Sequence, residues 1–295
     1  MSAAAQSAFP SDWLLPQWPT PPGVFALCTT RGGGASEGLF GASNLSFNVG
    51  DVPGHVQHNR QLLAQAMQAL ELQAGHGADK ARPRQPVFVR QVHGSHVQVL
   101  GEGGGQEQPA DASVSDVPGL GCTVMAADCL PVLFCHQHLP VVGAAHAGWR
   151  GLLGQGGTGV LENCFAAYAE RVRQQAGQAS LSNAQIATQT LAWLGPCISQ
   201  PAFEVGAEVQ SAFVGQDPDC ASLFAAGNPG KFFANLSGLA RHRLQRSGIQ
   251  QLYGNDGSQD WCTVANAARF FSHRRDGAPG LLGGTGRFAA CIWIG

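Results

Sequence analysis

Two apolar runs lie next to one another between Val124 and Gly151, and each ends in polar residues that a buried strand would not ordinarily carry. The first, Thr123 to Ala127, delivers Asp128 and Cys129. The second, Pro140 to Ala145, delivers His146 and then Gly148, Trp149, Arg150 and Gly151. Apolar runs of this length, bounded by turn residues, read as buried strands. α/β proteins keep their chemistry just past the ends of such strands. A carboxylate, a thiol and an imidazole are therefore expected at one edge of a buried sheet. A third run upstream, beginning at Val87, ends in the same way at His93.

Imidazole nitrogen and thiolate sulfur are donors that zinc accepts, and three protein ligands with one open position are the pattern of catalytic sites. His93, Cys129 and His146 are accordingly the candidate metal ligands. No Cys-x2-Cys pair is present to suggest a closed structural site. Residue types alone leave other readings open. His93 could be a surface histidine, and Cys129 a buried thiol. Cys129 could also be a nucleophile with His146 as its base, as in a cysteine hydrolase. A non-catalytic, metal-stabilised binding protein is a further reading. Cys135, His136 and His138 read as solvated residues around a hairpin turn. Copper is disfavoured, because multicopper oxidases need several His-x-His pairs and His136–His138 stands alone.

With 295 residues, 44% of them hydrophobic, the chain can bury a sizeable core. A formal charge of −2 offers no basic face for nucleic acid. No apolar run reaches the roughly 18 residues of a membrane span. The first residues, MSAAAQSAFPSDWLLPQWP, contain no Lys or Arg and no continuous apolar core, which argues against a secretory signal. The expectation is a cytoplasmic protein whose nine cysteines remain thiols. Gly154 to Gly159 fits G-x-G-x-x-G formally. No acidic residue ends the following strand to hold a ribose, so NAD is not expected.

The prolines at 10, 16, 19, 21 and 22 suggest a flexible leader over 1–22, followed by one domain over 23–295. Strands are expected at Val24 to Thr29, Asn44 to Asp51, Thr190 to Leu194, Leu252 to Tyr253 and Arg287 to Ile294. A strand pair around His93 is expected within Pro86 to Leu100. Helices are expected at His55 to Leu72, Leu152 to Gln175, Ala207 to Val214 and Leu236 to Ser247. Gln73 to Pro86 reads as a polar linker and Gly101 to Pro109 as a mobile loop. Arg31, followed by three glycines after the first strand, could hold an anion with its guanidinium and main-chain N–H groups.

Seven motifs occur in a fixed order: TTRGG from Thr29, VGD from Val49, QVHG from Gln91, ADCLPVLF from Ala127, HAGWRG from His146, FEVG from Phe203 and FFSHRRD from Phe270. Together they resemble the YfiH-type family of purine nucleoside phosphorylases, long labelled multicopper polyphenol oxidase or laccase domain. The resemblance runs from about Val24 to Gly295. It implies a single α/β (α+β) domain with mixed β-sheets packed face to face and helices on the outside. It also implies zinc held by His93, Cys129 and His146. The implied activities are phosphorolysis of adenosine, inosine, guanosine and methylthioadenosine, with adenosine deamination; some bacterial members are described instead as peptidoglycan-precursor editing factors. The implied partners are purine nucleosides and inorganic phosphate. Cys129, Asp128 and His146 are the candidate catalytic residues, and Arg31 and Arg150 the candidate phosphate ligands. The chain departs from the family at Asn48, where many members have histidine, and near Asn235, where aspartate is common after the lysine matching Lys231. It also carries extra glycines between Leu152 and Thr158.

Overall fold

The structure, a computed structural model, describes residues 9–75, 84–101, 109–277 and 284–295. Thirteen strands are seen among them. Four form one sheet: β1 (Val24–Cys28), β2 (Gln85–Phe88), β5 (Leu120–Ala126) and β13 (Phe288–Ile294), in the order β1-β13-β5-β2. Six form a second: β3 (Val97–Val99), β4 (Ala112–Ser115), β6 (Leu130–His136), β7 (Val142–Ala147), β8 (Thr190–Leu194) and β12 (Gln251–Gly254), in the order β12-β8-β6-β7-β4-β3. The remaining three, β9 (Glu204–Gly206), β10 (Phe224–Ala226) and β11 (Lys231–Ala234), make a small antiparallel sheet.

The two large sheets are mixed and pack face to face. Val124 and Ile292 of the first meet Leu133, Val142 and Trp193 of the second in one buried cluster. Side chains of opposite parity leave each sheet on its outer face. Leu27, Met125 and Trp293 pack under α1 (Pro53–Gln73) through Leu63 and Met67. Val132 and Phe134 pack under α3 (Val160–Ala176) through Phe165 and Tyr168, with Leu239 of α6 (Leu236–Arg246) in the same cluster. The layering is helix, sheet, sheet, helix. Strands buried on both faces read as continuous apolar runs and not as alternations, which is why β5, β7 and β13 stood out in the sequence.

Several expectations are corrected. Asn44 to Asp51 forms no strand but a short 3-10 turn at Phe47–Val49. Asn44 bonds both the N–H and the carbonyl of Ser46, and Ser46 Oγ accepts from Asn48 N, so polar side chains satisfy a backbone that a sheet would otherwise serve. The strands flanking His93 do not pair with each other; β2 lies in the first sheet beside β5 and β3 in the second beside β4. The helix expected from Leu152 is divided into α2 (Trp149–Leu153) and α3, because Gly154, Gly156 and Gly157 take positive φ between them. Cys135 and His136 are not solvated turn residues. Both are fully covered at the end of β6, and only His138 is exposed. The leader expected over 1–22 lies outside the described residues as far as residue 8. From residue 9 the chain is packed: Trp13 is buried and Leu14 bridges Cys28 of β1. Most of the expected linker (76–83) and glycine-rich loop (102–108) also lies outside the described residues. Between Ala207 and Gln216 stands α5, and His273–Asp276 forms α7 after the short α4 (Asn183–Thr188) and α6. No helix among the described residues is long and apolar enough to cross a membrane.

Candidate functional site

The chain passes from the first sheet to the second twice at the same end of the sandwich. One crossing follows β2 and carries His93; the other follows β5 and carries Asp128 and Cys129. Both crossings turn sharply, with His93 at φ 59° and Asp128 at φ 98°, a conformation non-glycine residues seldom adopt. His146, near the end of β7 opposite Pro131, completes the group. The donor atoms of His93, Cys129 and His146 all lie within 4.8 Å of one another. Cys129 Sγ is 3.8 Å from His93 Nε2, and the two imidazole rings meet edge to face at 4.9 Å.

This set fits zinc. A tetrahedral site with Zn–S of about 2.3 Å and Zn–N of about 2.0 Å has an S···N edge of about 3.5 Å, close to the separation present. His146 Nδ1 lies 2.9 Å from Asp111 Oδ1, so its N–H is donated there and Nε2 is left as the ligand nitrogen. The other hydrogen bonds to the Asp111 carboxylate come from the main-chain N–H groups of Val92, His93 and Gly94. One fully buried carboxylate thus fixes both histidines. Gln91 adds a clamp, its side-chain amide donating to Met125 O and accepting from Met125 N at 2.7 Å each. Gly148 leaves the sulfur room: a Cβ there would sit 3.0 Å from Cys129 Sγ and 3.1 Å from His93 Cδ2.

The electrostatics agree with a thiolate in this position. Burial alone would push the Cys129 thiol up, but the charge and hydrogen bonding of His146, joined by His93, bring it down to about 6. Burial pulls the other way on His146, and the thiolate and Asp111 raise it to about 9. Asp111 is held below the usual carboxylate range: its burial is outweighed by the His146 contact and the Gly94 and Val92 amides.

The three donors open onto a cavity of about 410 Å³. Its apolar walls include Val49, Met125, Ile198, Phe203 and Leu236, and four arginines, Arg90, Arg150, Arg274 and Arg287, line it as well. Asp128 lies in the wall, its Oδ1 accepting from Thr263 Oγ1 and its Oδ2 from Arg274 N, both at 2.6 Å. Arg274 is braced by the carbonyls of Ala202 and Glu204, and Arg287 by those of Thr285 and Gly286. Burial lowers the pKa of Arg287, while Cys129 and Asp128 oppose the shift. Arg150 is exposed, rests over the Trp149 ring and also borders a neighbouring polar cavity with Ser95, Gln155, Thr158 and Asn163.

Arg31 is not brought to this cavity. Its Nε donates to Gly41 O and its Nη1 to Ala267 O, and its guanidinium covers the Phe271 ring. It ties loops together where an anion ligand was expected. Asn48 does line the cavity. Lys231 is exposed on β11, and Asn235 caps α6 by accepting from Gly238 N. Sequence reading did not find Asp111, Arg274, Arg287 or Thr263. Asp111 left one weak signal, an acidic residue at the start of the short strand Ala112–Ser115; Arg274 left only its place in the FFSHRRD motif.

The family described as multi-copper polyphenol oxidoreductase laccase matches residues 25–295. The Escherichia coli (strain K12) protein named purine nucleoside phosphorylase YfiH is 40% identical over 287 residues, covering 96% of this chain and 99% of that protein. A Pseudomonas aeruginosa protein named purine nucleoside phosphorylase is 38% identical, covering 96% of this chain and 98% of its own length. Among solved structures, a Neisseria meningitidis protein superposes with a TM-score of 0.75 at 39% identity, covering 96% of this chain and 99% of that one. YlmD from Geobacillus stearothermophilus superposes at 0.73 with 26% identity, over 96% of each chain.

Proposed function

The chain belongs to the YfiH-type family, the one described as multi-copper polyphenol oxidoreductase laccase, and from that membership we propose that it is a zinc-dependent purine nucleoside phosphorylase. Its substrates on this reading are adenosine, inosine, guanosine and methylthioadenosine, with adenosine deamination as a second activity in the cytoplasm. The observation that carries the proposal is the convergence of His93, Cys129 and His146 on a cavity that also holds Arg150, Arg274 and Arg287.

Phosphorolysis forms a bond from a phosphate oxygen to C1′ and breaks the bond from C1′ to the purine nitrogen. Positive charge gathers on the sugar and negative charge on the leaving base. Arg150, the exposed guanidinium at the cavity edge, binds phosphate by charge-assisted hydrogen bonds, and Arg274 and Arg287 add a fixed positive field. The apolar wall of Val49, Met125, Ile198 and Phe203 suits the flat faces of a purine. His93, Cys129 and His146 would hold zinc, which would supply an electrophile to the reacting group. Asp128, held in the cavity wall by Thr263 Oγ1 and Arg274 N, is the group that takes up a proton in the reaction. In deamination it accepts a proton from the water that adds to C6 of adenine and passes that proton to the amino group, which departs as ammonia.

The test is adenosine turnover by the zinc-loaded chain, with and without phosphate. Adenine and ribose 1-phosphate formed only with phosphate support phosphorolysis, and inosine in both buffers supports deamination. Zinc bound without turnover of any purine nucleoside would overturn the proposal. The 3.8 Å approach of Cys129 to His93 favours one second reading, a cysteine hydrolase acting on peptidoglycan precursors. On that reading activity survives zinc removal and is lost on alkylation.

A further inference from the structure

We infer that Asp217, Cys220 and His242 form a second zinc-class metal site, separate from the cavity and independent of the reaction proposed above. One donor atom from each lies within 4.8 Å of the others, and none of the three lines either cavity. The donors come from two elements that pack together. Asp217 and Cys220 belong to Asp217-Pro218-Asp219-Cys220, which opens the 3-10 stretch Pro218–Leu223; His242 stands on α6.

Local bonds aim these groups at one another. Asp217 Oδ1 accepts from Asp219 N, which turns Oδ2 toward α6, where it lies 2.7 Å from His242 Nε2. Cys220 N donates to Asp217 O, and the Cys220 side chain is buried at 1% exposure beneath the pair. Asp217 and His242 are 17% and 22% exposed, so one side faces solvent and both can close on an ion. Asp219, at 77% exposure, stands beside them as a further oxygen donor. Carboxylate, thiolate and imidazole together suit zinc or cobalt(II), not magnesium or calcium.

A cation already occupies the approach. Arg246, one helical turn beyond His242, places Nη1 3.1 Å from Asp217 Oδ2 and 4.0 Å from Asp219 Oδ2 on a side chain 62% exposed. Metal entry displaces this guanidinium. The Cys220 thiol releases its proton to solvent, and the His242 proton moves to Nδ1, leaving Nε2 free to ligate.

The site is tested by titrating chelator-treated protein with zinc and with cobalt(II). Wild type is expected to take up two equivalents and His242→Ala one, with nucleoside turnover unchanged. Cys129→Ala, which removes the other site, is expected to retain one equivalent and a thiolate-to-cobalt absorption band. Adding Cys220→Ser to it should abolish that band. Arg246→Ala should tighten the second equivalent at least tenfold, because no guanidinium must leave. A single equivalent in wild type, or an unchanged stoichiometry in His242→Ala, overturns the inference. Failure of nucleoside turnover would leave these counts intact, so the two readings fail separately.

Discussion

Asp111 Oδ1 lies 2.9 Å from His146 Nδ1, and the same carboxylate accepts the main-chain N–H of His93, so one side chain orients two candidate metal ligands from different parts of the fold. Replacing Asp111 by Ala takes the acceptor from three partly buried N–H groups of the 92–94 turn, at about 1 kcal/mol for each hydrogen bond lost. Zinc affinity should fall about 10–100-fold, as when other outer partners of metal histidines are lost. Asp111→Asn keeps one acceptor oxygen and should fall between. Chelator competition gives the affinity and urea unfolding the stability; wild-type zinc affinity in Asp111→Ala would contradict the arrangement.

Two glycines of the HAGWRG motif protect the same place differently. A Cβ at Gly151 would lie 2.5 Å from Gly94 O, so Gly151→Ala must displace the turn carrying His93. A Cβ at Gly148 meets only the Cys129 sulfur and the edge of the His93 ring. Gly151→Ala is expected to lower both stability and zinc affinity, on the order of 1–3 kcal/mol for forced overpacking. Gly148→Ala should weaken zinc while leaving the unfolding midpoint nearly unchanged. Equal stability losses for the two would refute the distinction.

Arg31 and Arg150 should behave as opposites. Arg150 is exposed and stacks only on Trp149, so Arg150→Ala should change stability by no more than about 0.5 kcal/mol. Its KM for phosphate should rise about tenfold, the equivalent of about 1.4 kcal/mol. Arg31→Ala removes the donors to Gly41 O and Ala267 O and should lower the melting temperature with little change in that KM. Steady-state kinetics beside thermal melts separate the two; the reverse pattern would return Arg31 to the role of anion ligand.

Eight of the nine cysteines are buried, and only Cys129 is partly exposed. Its lowered thiol pKa, about 6, makes it the reactive one in metal-free protein. Iodoacetamide should therefore label one thiol per folded chain after zinc removal and essentially none in the zinc-loaded form, as read by intact mass. Labelling that ignores zinc would exclude Cys129 as a ligand.

His136 offers a pH prediction away from the site. Its Nδ1 accepts from the N–H groups of His138 and Leu139, and burial, with the His138 ring beside it, pushes it down to about 4. The unfolded chain takes up this proton near pH 6.5, whereas the folded chain resists it. The His136 contribution is therefore complete above about pH 6.5 and is lost as pH falls toward 4. After solvent screening the loss is on the order of 1–2 kcal/mol. His136→Asn keeps an acceptor near the Nδ1 position and should remove that part of the acid sensitivity, measured as unfolding free energy against pH.

Apolar runs and short polar endings were enough to find β1, β5, β8 and β13 and to select His93, Cys129 and His146. Each is a local property: a strand buried on both faces must be apolar throughout, and a histidine or cysteine interrupting that pattern is conspicuous. Tertiary structure alone decided the rest. Strand pairing is a long-range property, so nothing near His93 could say that β2 and β3 join different sheets. Asp111 acquired its meaning only when residues 18 and 35 positions away came to its Oδ1. Sequence reading singled out Arg31 as an anion ligand and left Arg274 as one residue of a motif. Folding gave the first to the carbonyls of two loops and brought the second to the cavity wall, because the contacts a long side chain makes are set by whichever backbone arrives beside it.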